Sequence, residues 1–189
     1  MLEQAKKRDH KIIVTDIAIE KIPRTHIPYL TVEQNLMIYE NHKTLLRKSQ
    51  TVNNSDEVAM LFDLNTGIVA EKLGSEHKVN VFENPNAVSM HAHAKQGALF
   101  LAHNHPSTQD FSYSDLGVFL MNDGIGGISV VSNSGNVHIL YKTDKYDFSL
   151  AYECISKIRN SYAAYNEEID KTIVKEFLKI SSKIGIENF

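Results

Sequence analysis

The sequence predicts an α/β (α+β) fold, a mixed sheet flanked by helices that ends in a C-terminal helical extension. Three observations carry this. Short apolar, strand-compatible runs recur in "EVAMLFDL", "ALFLAHNH" and "GISVVSNSGNVHILYKT". Helix-start signals fall between them, Thr31 with Gln34 and Ser112 with Asp115. From about Phe148 onward, Leu150, Ile155, Ile158, Tyr162, Ile169, Ile173, Phe177, Ile180 and Ile184 recur at near-helical spacings with no proline among them. With 189 residues, 42% of them hydrophobic, the chain can bury one core and carry an appendage.

Taken in order, residues 12–22, "IIVTDIAIEKI", alternate apolar and polar positions that include Ile13, Ile17 and Ile19, which predicts an edge or half-buried strand closed by Pro23 and Pro28. Thr31 then opens a helix through Leu36, Tyr39 and Leu46, and a polar loop leads to residue 56. "EVAMLFDL", the "NTG" turn and "IVAEKLG" predict a hairpin, and "KVNVF" a further strand. "NAVSMHAHAKQG" reads as a short helix ended by Gly97. "ALFLAHNH" reads as a strand buried on both faces, Ser112 caps the next helix, and a Ser-Gly-Asn turn closes a second hairpin. The expected organisation is an N-terminal strand or extension over 1–30, a central domain over 31–147 and helices over 148–189.

Composition narrows the function classes. A formal net charge of -3 gives no bulk drive toward nucleic acid or an acidic membrane surface, so nucleic acid as a partner has no support from charge. The single cysteine, Cys154, has no partner for an internal disulfide and reads as a small core side chain. Charges interrupt every apolar run near the start, so neither a signal peptide nor a membrane span is expected, and the expected compartment is the cytoplasm.

"HNHPSTQDFSYSD", residues 103–115, concentrates the chemistry. His103 and His105 lie two apart at the end of a strand, so both imidazoles project from one face and can share a metal. Pro106 stops the strand, and the helix from Ser112 returns Asp115 toward the strand end. Two imidazoles and a carboxylate suit Zn2+ with one coordination position left for water. Such a site needs a base and an oxyanion donor. Glu57, which opens the first buried strand, is the candidate base, ahead of Glu71 and Glu83. Ser112 is the candidate donor.

A strand-opening Glu followed by H-x-H-P and S-x-x-D resembles the JAB/MPN (JAMM) metalloprotease motif, and "HNHPS" is most similar to its RadC-like prokaryotic branch. The resemblance covers roughly residues 55 to 143. It implies a cytidine-deaminase-like α/β sandwich in which His103, His105 and Asp115 hold zinc, Glu57 is the general acid/base and Ser112 lines the oxyanion site. The implied activity is hydrolysis of a peptide or isopeptide bond in a peptide or protein substrate, such as a ubiquitin-like C-terminal tail. The loop from Pro106 to Phe111 is one residue shorter than the family usually has, which leaves Ser112 and Ser114 as alternatives for the hydroxyl that faces substrate. A RadC-like, DNA-associated protein and a non-catalytic metal-binding scaffold are the rival expectations.

The remaining histidines lack such a context. His91 and His93 have no proline or carboxylate following at the right place. His10, His26, His42, His77 and His138 read as solvated or satisfied by hydrogen bonds. Asp110 reads as a turn former rather than a fourth ligand. The apolar stripe in "NSYAAYNEEIDKTIVKEF" is expected either to pack on its own domain or to pair with the same helix of a second copy, a homodimer through the C-terminal helices, ahead of a foreign partner.

Overall fold

The computed structural model describes residues 11–189, and the reading of His10 lies outside them. The elements run α1 (Asp16–Glu20), α2 (Val32–Val52), β1 (Val58–Asp63), β2 (Val69–Leu73), α3 (Pro85–His93), β3 (Leu99–His105), α4 (Tyr113–Met121), β4 (Ile125–Ser132), β5 (Val137–Lys142), α5 (Phe148–Asn160), α6 (Glu167–Leu178) and β6 (Ile186–Asn188). The fold is α/β: a mixed, open, six-stranded sheet in the order β2-β1-β3-β4-β5-β6, flanked by helices, with α5 and α6 in its C-terminal part. Among the described residues only the β3–β4 pair is parallel, and α4 is its crossover.

Alternation along β3 divides the core. Leu99 and Leu101 face one side, where Leu116 and Phe119 of α4, Ala151 and Ile155 of α5, and Ile173 and Phe177 of α6 complete the packing. Phe100 and Ala102 face the other, against Leu45 and Leu46 of α2 and Ile19 of α1. All seven residues of β3 are buried, as expected for a central strand covered on both faces.

Three expected elements differ. Residues 12–22 do not form a strand: Thr15 caps α1, its side chain accepting from the Ala18 amide. The buried set there is Val14, Ala18, Ile19 and Ile22, a helical spacing, while Ile13 and Ile17 of the alternating pattern lie exposed. "KVNVF" is not a strand either. A lone bridge joins Ser75 to Lys78, and the Asn80 side chain then accepts from the Phe82 amide to start a 3-10 turn over Val81–Glu83.

The C-terminal stretch is not continuously helical. It breaks between Asn160 and the N-cap Asn166, and after α6 the left-handed Gly185 (φ 77°) turns the chain so that Ile186 enters the sheet beside β5. A side chain at Gly185 would meet the backbone of Lys145 and Tyr146, so glycine is required there by contact as well as by conformation. The apolar stripe of α6, Ile173, Val174 and Phe177, packs on the chain's own core. Among the described residues no helix is long and apolar enough to cross a membrane.

Candidate metal centre

Period-2 alternation puts Leu101, His103 and His105 on one face of β3, and the strand ends there because Pro106 follows. The adjoining loop returns through Phe111, which is buried in the core below, and Ser112 then caps α4. The cap is a reciprocal box. The Ser112 hydroxyl accepts from the Asp115 amide at 3.1 Å, and Asp115 Oδ2 accepts from the Ser112 amide at 2.7 Å. This pins the Asp115 carboxylate at the end of β3.

Two imidazole nitrogens and the two oxygens of one carboxylate converge. His103 Nε2 and His105 Nε2 lie 3.1 Å apart, His103 Nε2 is 3.2 Å from Asp115 Oδ1, and His105 Nε2 is 3.7 Å from Asp115 Oδ2. Donors bound tetrahedrally to zinc at about 2.0–2.1 Å stand roughly 3.3 Å from one another, so the spacing fits a single ion. The group could hold a metal ion, and its two nitrogens and one oxygen suit a divalent metal of borderline hardness. The long contact from His105 Nδ1 to the Gln109 carbonyl, at 3.4 Å, requires the proton on Nδ1 and leaves Nε2 its lone pair.

Without a metal, electrostatics favour the ligand forms of His105 and Asp115 but the protonated ring of His103. Burial, reinforced by the charge of His103, pulls the His105 pKa down to about 4 and so keeps the ring neutral. Burial alone would raise Asp115, but the charge and hydrogen bond of His103, the charge of His105 and the Ser112 amide hold it well below the usual carboxylate range. Burial also works against a charge on His103. Asp115, by its charge and hydrogen bond, and the Glu57 charge outweigh that and lift its pKa.

Glu57 precedes β1 and is only 8% exposed. Its backbone extends the β1–β2 pairing by one residue, with its amide donating to the Ser75 carbonyl at 3.1 Å and its carbonyl accepting from the Gly74 amide at 2.8 Å. Burial pushes its carboxyl up to about 7. The charge of His103 opposes the shift, those of Asp115 and Asp56 add to it, and a hydrogen bond from the Val79 amide lowers it. Glu57, His103, His105, Ser112 and Asp115 all line one open cleft of about 1260 Å3, with Leu101 and Ile128 in its apolar lining. Glu71 and Glu83 are instead drawn into surface ion pairs with Lys48 and Lys72.

Ser112 and Ser114 both line the cleft, but Ser114 is exposed whereas the Ser112 hydroxyl donates to Asp115 Oδ2 at 2.7 Å. That hydroxyl has a single proton, so in this state it is committed to Asp115. Asp110 accepts from the Phe111 amide at 2.7 Å and faces His138 at 3.6 Å, outside the metal group. His91 packs edge-on against Phe82, and His93 reaches the Ser89 carbonyl at 2.8 Å. His26 and His77 are exposed. His42 is fully buried and satisfied by the Ser129 hydroxyl at 2.8 Å, a partner far away in sequence rather than local.

Sequence reading missed the back of the site. Asn104, between the two histidines, and Asn133, just before the Ser-Gly-Asn turn, are both fully buried and bonded to each other at 2.7 Å. The alternation that aims both histidines into the cleft necessarily aims Asn104 the other way, and a buried amide must find partners. That signal was present in "HNH". Comparison with family models, with curated proteins and with solved structures finds no match for this chain.

Proposed function

We propose that this protein is a zinc-dependent hydrolase of the JAB/JAMM type, of the RadC-like prokaryotic branch on a cytidine-deaminase-like sandwich, and that it cleaves a peptide or isopeptide bond. The observation that carries the reading is the convergence of His103, His105 and Asp115, at 3.1 to 3.7 Å, in the same cleft as a buried Glu57. Zinc bound there would supply Lewis acidity toward water and toward the scissile carbonyl. Glu57, buried in the cleft beside the ligand group, takes the proton from the attacking water and delivers it to the leaving amine nitrogen. Burial favours its neutral acid, while the Val79 amide favours the carboxylate. The half-buried apolar side chains of Val79, Phe82 and Val118 line the same cleft and suit the side chain of a peptide residue. A peptide or the C-terminal tail of a ubiquitin-like protein is the substrate class this implies.

The deciding experiment pairs elemental analysis of the purified protein with a peptide-hydrolysis screen, run beside a His103→Ala, His105→Ala double variant and Glu57→Gln. About one equivalent of zinc in the wild type, none in the double variant, and zinc without turnover in Glu57→Gln is the expected pattern. Equal zinc in wild type and double variant ends the metal reading. Zinc without hydrolysis in the wild type leaves a metal-binding scaffold.

A further inference from the structure

Asn104 points away from the cleft, toward α2, and its amide is the node of a buried network. Its Oδ1 accepts from the Val58 amide at 2.7 Å. Its Nδ2 is shared among Asn133 Oδ1 at 2.7 Å, the Asp56 carbonyl at 3.2 Å and the Ser49 hydroxyl at 3.2 Å. Asn133 passes the network on, donating to the carbonyls of Ser55 at 2.8 Å and Ile12 at 2.7 Å. The donor and acceptor ends are consistent throughout, because the Val58 amide can only donate and the Ser55 and Ile12 carbonyls can only accept.

Three of these bonds, those to the Val58 amide and to the Asp56 and Ser55 carbonyls, fall on the turn that delivers Glu57. Asn54 and Ser55 there both adopt left-handed backbone, at φ 48° and 61°, a conformation that is unfavourable for serine and persists only where surroundings over-determine it. Further contacts converge on the same turn: the Ser49 hydroxyl donates to the Asp56 carbonyl at 2.7 Å, and the Ser55 hydroxyl accepts from the Val14 amide at 3.1 Å. Ile12 also donates to the Pro106 carbonyl at 2.6 Å, so residues 12–14 join the Glu57 turn to the loop after His105.

We propose that Asn104, acting with Asn133, is the positioning residue of Glu57: one side chain on the strand that carries both histidines fixes the turn that places the carboxylate opposite them. The proposal rests on the reading of Glu57 as the base. A network with every member satisfied holds such a turn, whereas a half-satisfied one releases it.

The test uses the full chain with Asn104→Ala and Asn133→Ala, zinc as the metal probe, site-resolved amide hydrogen exchange, and hydrolysis of a pooled fluorogenic peptide library. Both variants should retain wild-type zinc content, because no ligand is changed. Asn104→Ala should speed exchange at Val58 and across residues 54–57 by about tenfold or more while α4 and β4 stay protected. Asn133→Ala should loosen residues 12–14 and Ser55 yet leave the Val58 amide protected. For peptides that the wild type cleaves, kcat should fall by about tenfold with KM unchanged. Wild-type exchange at 54–58 in Asn104→Ala, or loss of zinc from either variant, overturns the proposal. If Asn104→Ala does not fold, the graded pattern in Asn133→Ala decides. A wild type without zinc or hydrolysis refutes the functional reading instead, and the exchange pattern still decides whether the asparagine pair locks the turn.

Discussion

The Ser112 hydroxyl lies 2.7 Å from Asp115 Oδ2, and the Asp115 amide donates back to that hydroxyl at 3.1 Å, so the residue that caps α4 also aims the acidic ligand. Ser112→Ala should therefore lose on two counts. Removal of the cap costs about 1 kcal/mol of stability. Loss of the hydroxyl that orients the carboxylate should weaken zinc binding by about tenfold. Thermal unfolding of metal-stripped protein measures the first and competition titration with a chelator the second. Unchanged zinc affinity would show that the cap alone holds no ligand geometry.

Phe100 is fully buried, stacked on Phe62 at 5.2 Å between centroids and tilted against His42 at 6.3 Å. Phe100→Ala removes this contact from the face of β3 opposite the metal ligands. The expected loss is about 3–5 kcal/mol in denaturant unfolding. A loss below about 1 kcal/mol would mean that this face collapses around the cavity instead of retaining it.

How much of this was legible in the residues differs from one element to the next. The strand ending in His103 and His105 could be read because a long apolar run meets a proline, and α4 because Ser112 and Asp115 form a capping box; together those two elements make the ligand set. Residues 12–22 misled because a short amphipathic segment satisfies both periods, and only burial separates Val14, Ala18, Ile19 and Ile22 from the exposed Ile13 and Ile17. β6 was hidden for a different reason. Three residues after a glycine carry no periodicity, and their strand conformation comes from pairing with β5 across the molecule. The Asn104 network could not be assembled from sequence, since its partners lie 29 to 55 residues away.

His42 gives an acid-side prediction. Burial holds its pKa at about 3, against an ordinary value of 6.5, so the folded protein keeps the ring neutral while the unfolded chain protonates. Its contribution is fully present above pH 6.5 and is lost as the pH falls toward 3. Within that window the loss is on the order of 1.4 kcal/mol per pH unit. A His42→Leu, Ser129→Ala double variant, which removes both partners of the 2.8 Å bond, should show a shallower decline between pH 6.5 and 4 in urea unfolding. Parallel declines in the two proteins would assign acid sensitivity to other groups.

Glu57 gives the opposite sign. Its folded pKa, near 7, lies above the ordinary 4.5, so between those values the unfolded chain has released a proton that the folded, metal-free protein still holds. Stability attributable to this group is thus complete below pH 4.5 and lost as the pH rises through 7. Glu57→Gln cannot ionise and escapes that loss. The metal-stripped variant should match the wild type near pH 4 and exceed its stability at pH 8, the wild type losing on the order of 1.4 kcal/mol per pH unit across the interval between its unfolded and folded pKa. The same substitution should abolish hydrolysis, because glutamine cannot accept the proton from water. Gain of stability with loss of activity is what a carboxylate retained for chemistry predicts, since a purely structural Glu57 would lose stability on replacement. Unfolding curves at pH 4 and 8 for both proteins separate these cases, and a Glu57→Gln variant less stable than wild type at pH 8 would count against the base assignment.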